Sequence, residues 1–353
     1  MEALSFNIEA GYLEGIVRGY RASMLTQTNY QSLTQCETLE DFRMQMSATD
    51  YGNFLANEPS PLATSAISAQ ATRKLVAEFE YLRSNSTEPL SRLLDFLTYS
   101  YMIDNVVLLI TGTLHERDTQ ELLERCHPLG WFDTLPALSV ATNVEELYRT
   151  VLVDTPLAPY FRDCFSAADL DDLNIEIIRN KLYKAYLEDF YAFACSLGGG
   201  TAESMSELLA FEADRRTINI TINSFGTSLF KDERASLYPT VGHLYPAGNN
   251  ALARADEIDQ VRQIVEWVPE YKRLFDDGSG ISSEGVDLNA VEDRMFAYEV
   301  ERASILTSEQ APYYESVPVQ CILRVAEAEG AGDPCDYMDR RVHCAGCTRC
   351  VFC

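Results

Sequence analysis

The sequence predicts an almost purely helical protein, and two features of its patterning support this prediction. Apolar residues recur at steps of three or four along several segments, which is the spacing of the buried face of an amphipathic helix. Alternation of apolar and polar residues, which is typical of strands, is nowhere sustained, and the nearest case is the short run 217–222. We therefore expect an all-α fold with little or no β-sheet.

The first predicted helices follow from two neighbouring apolar stripes. Leu75, Phe79 and Leu82 form one stripe, which ends before a turn at 84–89. Residues 90–101 carry the next stripe, at the same helical spacing. Both segments are expected to bury one face.

The longest predicted helix spans 171–193, which contains no proline or glycine. Its apolar face comprises Ile175, Ile178, Leu182, Tyr186, Phe190 and Phe193. Asp171 and Asp172 would complement the positive end of its dipole, and the glycines at 198–200 would end it. A further helix is predicted over 253–275.

The composition is that of a globular protein with a large core, because 46% of its residues are apolar. Short turns separate the predicted helices, so we expect one continuous body of sub-bundles. The longest uninterrupted aliphatic run, 106–110, is far shorter than the roughly 20 residues that cross a bilayer, so no membrane span is expected. The N-terminal segment lacks the basic and apolar regions of a signal peptide, which predicts a cytosolic protein.

The chain is strongly acidic, with 54 acidic and 28 basic side chains and a formal net charge of −26. Proteins that bind nucleic acid or anionic lipid headgroups need a basic face, so both kinds of partner are disfavoured. Six of the ten cysteines lie in the last 33 residues. The four in the body, at 36, 126, 164 and 195, suit a reducing compartment.

Few residues could act as a catalytic base, since the chain has four histidines. His127 follows a cysteine, but a proline and a glycine come directly after it and indicate a turn that ends a helix. His243 lies in a doubled Tyr-Pro turn. It could act there as a base, or it could be a hydrogen-bonded imidazole of the loop. The glycines at 198–200 lack the Lys-Ser/Thr of a phosphate-binding loop, and no cofactor or metal site is predicted. A soluble helical enzyme that uses His243 or His127 with a nearby carboxylate stays an alternative.

The segment 211–216 concentrates four charges in six residues. Charges three and four residues apart face each other on a helix, so the segment predicts a helix with intrahelical ion pairs. The alternative is a patch that binds a partner.

Several segments together resemble one family, subunit d of the eukaryotic vacuolar-type proton-pumping ATPase. In chain order they are 7–14, 19–21, 33–41, 173–180, 182–190, 211–223 and the doubled Leu-Tyr-Pro at 237–239 and 244–246. None is a catalytic motif, but in this order and over roughly residues 6–300 they are specific.

The resemblance implies a funnel-like body of three related helical sub-bundles over residues 1–300, without an active site. It also implies a non-catalytic adaptor that joins the proteolipid c-ring of the membrane sector to the central stalk, so that ATP hydrolysis drives proton transport. Such an adaptor would lie on the cytosolic face of vacuolar, lysosomal or endosomal membranes, held there by the complex. A helical scaffold for another complex is the remaining alternative.

For partner binding we select the densest polar features of the region that carries the resemblance. These are Glu212, Asp214, Arg215, Arg216, Tyr238 and Tyr245. The alternative interpretation is that these side chains hold helices together inside the body.

Residues 301–353 form a divergent tail, with cysteines at every third position from Cys344 to Cys353. That spacing can bind zinc, but structural zinc sites usually separate their two cysteine pairs by a loop. Members of the family carry other sequences in this region: V-F-Y-A, K-L-K-E-Q-E and W-I-A-E-C-I-A-Q. The tail therefore departs from the family pattern.

A shifted reading frame recovers the missing family helix from the genetic code. The ATG of Met338 and the G that begins the codon of Asp339 give TGG, which encodes Trp, and the next codons permit I-A-E-C-I-A-Q. In the same frame and order, the codons of 328–332 permit L-K-E-Q-E and those of 321–324 permit V-F-Y-A. We expect that the tail is read out of frame, from a change before about residue 317, and that it is poorly ordered.

Overall fold

The computed structural model describes residues 11–115, 117–139, 155–162, 172–227, 229–275 and 288–309, and within these ranges it contains helices and turns but no strand. The α-helices are α1 (Gly11–Ala22), α2 (Gln27–Leu33), α3 (Leu39–Ser47), α4 (Thr64–Ser84), α5 (Leu90–Leu114), α6 (Thr119–Arg125), α7 (Ala158–Arg162), α8 (Asp172–Leu197), α9 (Gly199–Asn223), α10 (Lys231–Leu237), α11 (Ala247–Leu252), α12 (Ile258–Val265) and α13 (Leu288–Glu309). Short 3-10 helices span Pro128–Gly130, Leu135–Ser139 and Pro269–Leu274. The all-α prediction is thus confirmed for the described part of the chain.

The chain divides into two compact units, one of Met1–Ser91 with Asp287–Cys353 and the other of Arg92–Val286. The subdivision into three related sub-bundles, which the resemblance implies, stays a prediction. Helix α13 continues to Glu309, across the boundary expected at residue 300. The cysteine-rich part of the tail lies outside the described residues.

In the first unit, α2 and α3 both contribute to a small apolar cluster of Tyr30, Leu33 and Met46. Each of these helices begins after a threonine that closes a capping box. The hydroxyl of Thr38 accepts a hydrogen bond from the backbone amide of Asp41 at 3.1 Å, and the Asp41 carboxylate accepts one from the Thr38 amide at 3.2 Å. Because the first amides of a helix have no partner inside it, such caps fix where the helix begins.

Removal of this cap is expected to destabilise the first unit. Thr38→Ala deletes the acceptor for the Asp41 amide, so we expect the free energy of unfolding to fall by about 1 kcal/mol. Chemical denaturation followed by circular dichroism measures the change. Ser47→Ala is the control, since that hydroxyl donates to the Met44 carbonyl at the other end of α3. An equal loss in both variants would contradict the capping role.

The second unit is built on a hairpin of α8 and α9, which have 26 and 25 residues. Gly198 alone separates the two helices, and its φ of +70° lies in the left-handed region that glycine adopts without strain. Aromatic side chains join α8 to α5: the rings of Phe190 and Phe96 stack with centroids 5.0 Å apart and an interplanar angle of 1°. The hairpin therefore supplies core to this unit and carries the candidate site on α9.

Helix α5 passes the length and composition test for a membrane span, with a mean hydropathy of 1.5 over Leu90–Gly112. However, 67% of that window is buried inside the protein. Leu94, Ile103 and Val106 have no exposed surface. Because a core helix of a globular protein is equally apolar, we interpret α5 as a core helix.

Most of the predicted helices are confirmed. Helix α8 agrees with the prediction over 171–193, and the stripes of 75–82 and 90–101 lie in α4 and α5. The run 217–222, whose alternation is the nearest to a strand pattern, is helical and lies at the end of α9. Thr217 and Thr221 each donate a hydrogen bond to the carbonyl four residues earlier, so their hydroxyls are satisfied within the helix.

The prediction of one helix over 253–275 is wrong. The structure has α12 at Ile258–Val265 and a separate 3-10 helix at Pro269–Leu274. Pro269 has no amide hydrogen to donate and disfavours helical backbone at the residue before it. Val268 accordingly has φ −95° and ψ 109°, which is extended. The prediction failed because apolar residues keep helical spacing on both sides of Pro269, although this proline interrupts the helix.

Candidate functional site

Asp214 lies at the centre of the candidate site and has no exposed surface. Its carboxylate accepts hydrogen bonds from the backbone amides of His243, at 2.8 Å, and Leu244, at 3.2 Å, and from the Tyr271 hydroxyl at 2.8 Å. One side chain of α9 thus joins two distant segments, the turn at 238–246, which we call the Tyr-Pro turn, and the 3-10 helix that contains Tyr271. Because a buried carboxylate needs such partners, the arrangement is a structural tether.

The Tyr-Pro turn approaches Asp214 closely because residue 242 is glycine. Gly242 has φ +120°, a conformation that residues with a side chain rarely adopt. A β-carbon there would overlap Asp214 Oδ1 and lie 3.3 Å from the carbonyl oxygen of Ala210. The tether therefore requires both the carboxylate and the glycine opposite it.

Two arginines of α9 share one carboxylate. Glu212 accepts hydrogen bonds from Arg215 Nε at 2.7 Å and from Arg216 Nε at 2.8 Å. The Arg216 guanidinium also lies over the ring of Tyr183 on α8, with 3.3 Å from Cζ to the ring centroid. The predicted helix with intrahelical ion pairs is confirmed. These three charged side chains together carry a charge of 2 − 1 = +1, within a protein of net charge −26.

The carboxylates of Glu212 and Asp214, two residues apart on α9, differ in their ionisation. Burial raises the pKa of Asp214 to about 6, against the opposing effect of the hydrogen bonds that it accepts. Burial acts in the same direction on Glu212, but the two arginines outweigh it and lower the pKa of Glu212 below its usual value. Glu212 is therefore charged at neutral pH, whereas Asp214 titrates just below it.

His243 pairs with a carboxylate of α9, with 3.4 Å between its Nε2 and Glu207 Oε2. This hydrogen bond raises the pKa of His243 although burial opposes it, and the charges of Asp214 and Glu270 add to the increase. The geometry is the one that the enzyme alternative required. The same pair also attaches the turn to α9, because it joins the side chain of a turn residue to a carboxylate of the helix.

The two predicted tyrosines of the turn lie in different environments. Tyr238 is buried, and its hydroxyl is 2.6 Å from Thr221 Oγ1 on α9. Tyr245 is 45% exposed. The structure thus brings the six predicted residues together on α9 and the Tyr-Pro turn, with two of them, Asp214 and Tyr238, holding the turn. Solvent reaches the other four, which are Glu212, Arg215, Arg216 and Tyr245.

The prediction of a helix-ending turn at His127 is confirmed. Helix α6 ends at Arg125, and the His127 Nδ1 accepts a hydrogen bond from the Leu129 amide at 3.2 Å. Its ring stacks on Tyr101 with centroids 4.2 Å apart. Burial lowers the pKa of His127 to about 4, so the imidazole is neutral at pH 7.

Two residues that hold this region together were missed by the sequence analysis, Tyr271 and Arg234. Arg234 is 4% exposed and donates to Ser224 Oγ at 2.8 Å and to the Ala255 carbonyl at 2.8 Å. It follows Lys-Asp-Glu in the sequence, a composition typical of a solvated face, so no local pattern distinguishes it. Tyr271 lies in the segment that was mistaken for the continuation of a helix.

No set of three or more His, Cys, Asp or Glu side chains that could hold a metal ion occurs among the described residues. The cysteines from 321 onward lie outside them, so zinc binding by the tail stays an alternative.

The hydrogen bonds around Asp214 tie a helical hairpin to a turn, and the comparison with known proteins shows the class of protein in which they occur. Residues 13–317 match the family described as ATP synthase (C/AC39) subunit, and the chain belongs to this family. It is 55% identical to V-type proton ATPase subunit d of Neurospora crassa over 326 residues, which cover 89% of each chain.

Two further relatives carry the same description. The chain is 55% identical to V-type proton ATPase subunit d1 of Arabidopsis thaliana over 313 residues, which cover 89% of this chain and 88% of that one. It is 54% identical to V-type proton ATPase subunit d of Saccharomyces cerevisiae over 283 residues, which cover 79% of this chain and 82% of that one. Subunit d is an accessory component of the pump, so the enzyme alternative is excluded.

Proposed function

We propose that this chain is the non-catalytic adaptor of a vacuolar-type proton ATPase, which joins the central stalk to the proteolipid c-ring so that ATP hydrolysis drives proton transport. The observation that carries the proposal is the 55% identity to V-type proton ATPase subunit d over 89% of each chain. The adaptor would lie on the cytosolic face of vacuolar, lysosomal or endosomal membranes, bound through the other subunits.

The site supports this function because some of its residues are accessible to a partner and others hold the turn in place. An adaptor that transmits torque needs contacts to a partner and a rigid support behind them. We assign partner contact to the members of the site that solvent reaches: Tyr245, which is exposed, and the partly buried Glu212, Arg215 and Arg216. Asp214 and Tyr238 hold the Tyr-Pro turn against α9 from inside and act as positioning residues.

The charge of the chain is consistent with basic partner surfaces. A net charge of −26 attracts the basic loops or stalk ends of other subunits and repels acidic ones, which favours association in the correct orientation. Most of this attraction is long-range and is screened by salt, so it contributes more to the rate of association than to the final affinity.

Expression in Saccharomyces cerevisiae that lacks its own subunit d tests the proposal. Because the tail departs from the family, the chain is expressed both as written and with the tail in the shifted frame. An adaptor restores ATP-dependent acidification of isolated vacuoles with at least one of the two tails. A scaffold for another complex would instead co-purify with unrelated proteins and leave the vacuoles neutral, and this result would overturn the proposal.

The partner-binding role of the turn predicts a specific loss of coupling. Tyr245→Ala removes an exposed aromatic ring from the site, so we expect weaker attachment by about 1 kcal/mol or more and less proton transport per ATP hydrolysed. Parallel assays of ATP hydrolysis and acidification measure this ratio. Trp131→Ala is the matched control, because Trp131 is 48% exposed but lies outside the site. An unchanged ratio in the Tyr245 variant would refute the contact.

A further inference from the structure

Three carboxylates act on the imidazole of His243 in the Tyr-Pro turn. Glu207 bonds to His243 at 3.4 Å, Asp214 binds the backbone of the turn, and Glu270 acts on the imidazole from the 3-10 helix. Fully ionised carboxylates would thus place three negative charges against one positive charge. A proton bound within this group relieves the imbalance, so the geometry favours proton uptake when the turn is closed on α9.

Of the elements that pack on α9, α10 carries a buried charge, Arg234, whose guanidinium donates to Ser224 at the C-terminal end of α9, ten residues after Asp214 in the sequence. The buried residues of α11 and α12 are uncharged: Gly248, Asn249, Leu252, Val261, Ile264 and Val265. From α8, Tyr191 lies near Glu207, and Glu188 accepts hydrogen bonds from Thr240 at the start of the turn. The Tyr271 hydroxyl donates to Asp214 from the 3-10 helix.

We propose that the Tyr-Pro turn is a proton-operated latch, held tightly on α9 at acidic pH and loosened as rising pH removes protons from Asp214 and His243. The latch is a property of the fold and does not depend on the proposed function. What it would control is the presentation of Tyr245, the exposed ring of the turn.

The direction of the pH dependence follows from how closure changes each group. Closure buries Asp214 and raises its pKa from an ordinary value of 3.8 to about 6. The associated stability is therefore fully present below pH 3.8 and is lost as the pH rises through 6. The pKa of His243 is also raised, by its hydrogen bond to Glu207, so its contribution is present below 6.5 and is lost above that value. Both groups favour the closed turn on the acidic side.

Hydrogen exchange of the turn tests the latch in the full chain, with either reading of the tail. The amides of His243 and Leu244 are protected by Asp214 when the turn is closed. From the two pKa values of Asp214 we expect the protection of the peptide 238–246, after correction for intrinsic exchange, to be about four-fold greater at pH 5.5 than at pH 7.5. Protection that does not change with pH would overturn the proposal.

Two variants assign the effect to the proposed groups. Asp214→Asn cannot titrate, so it should lose most of this pH dependence. Glu207→Gln keeps a hydrogen-bond acceptor but removes the negative charge opposite His243, so it should reduce the remaining part of the pH dependence. Glu188→Gln is the matched control, since its carboxylate binds the same turn through Thr240 and the full pH dependence should persist. If the Asn variant does not fold, the wild type and Glu207→Gln decide; full pH dependence in the folded Asp214 and Glu207 variants contradicts the latch.

Discussion

Replacement of Gly242 by alanine is expected to lower the free energy of unfolding of the second unit by about 4 kcal/mol. Two costs add at this position. The backbone has φ +120°, which an alanine adopts only with strain, and the new β-carbon would overlap Asp214 Oδ1. Asp214 cannot withdraw without breaking its hydrogen bonds to His243 and Leu244. Chemical denaturation followed by tryptophan fluorescence measures the loss.

Substitution of a second glycine measures the backbone strain without the steric overlap. Gly226 also has a positive φ, +74°, but a β-carbon there would meet nothing within 4 Å. Gly226→Ala should therefore carry the backbone strain alone, about 1 kcal/mol. Similar losses in both variants would show that the close approach of the turn to Asp214 contributes little, and the tether would have to be reconsidered.

The tail is expected to decide whether the chain assembles at all. The family match ends at residue 317, and the shifted frame begins to restore family sequence at codon 321. We propose that the family helix encoded there covers an apolar groove on the body, which the chain as written would leave open. Loss of a packed helix removes several kcal/mol, which is comparable with the roughly 5–15 kcal/mol that stabilises a whole domain.

Two measurements check this expectation. Sequencing of the transcript across codons 290–353, against the genomic locus, should reveal a frame that encodes W-I-A-E-C-I-A-Q. Expression of both versions should show a lower thermal stability and little co-purification with other pump subunits for the chain as written. Normal stability and assembly of that chain would refute the frame-shift hypothesis, and binding of zinc at the expected cysteines would favour the metal alternative.

The sequence predicted helices well where periodicity was long and uninterrupted. The 26 residues of α8 follow from the apolar stripe that ends at Phe193, because one buried face decides the period. The stripe after Pro89 predicted only the first half of α5, since beyond it the helix is apolar on most sides and periodicity fades. In the segment 253–275 the periodicity continued past Pro269, and the missing amide hydrogen was the stronger constraint.

Composition was sufficient to select the residues of the candidate site, but the role of each residue could not be predicted from the sequence. Charge density identified Glu212, Arg215 and Arg216, and their spacing was sufficient for the ion pairs. Asp214 lies between these residues but faces inward. Its orientation depends on the position of a turn some 29 residues later. Tyr271 is further still, 57 residues from Asp214. Long-range hydrogen bonds of this kind leave no local pattern.

The single residue between α8 and α9 also bears on how the protein folds. Gly198 lets two helices of 26 and 25 residues pack side by side, and their contacts begin between residues near in sequence, next to the connection. Closure of so short a connection loses little chain entropy, and local contacts of this kind form fast. The hairpin can therefore serve as the folding nucleus of the second unit, complete during synthesis before the Tyr-Pro turn emerges, and the turn then docks onto a preformed surface.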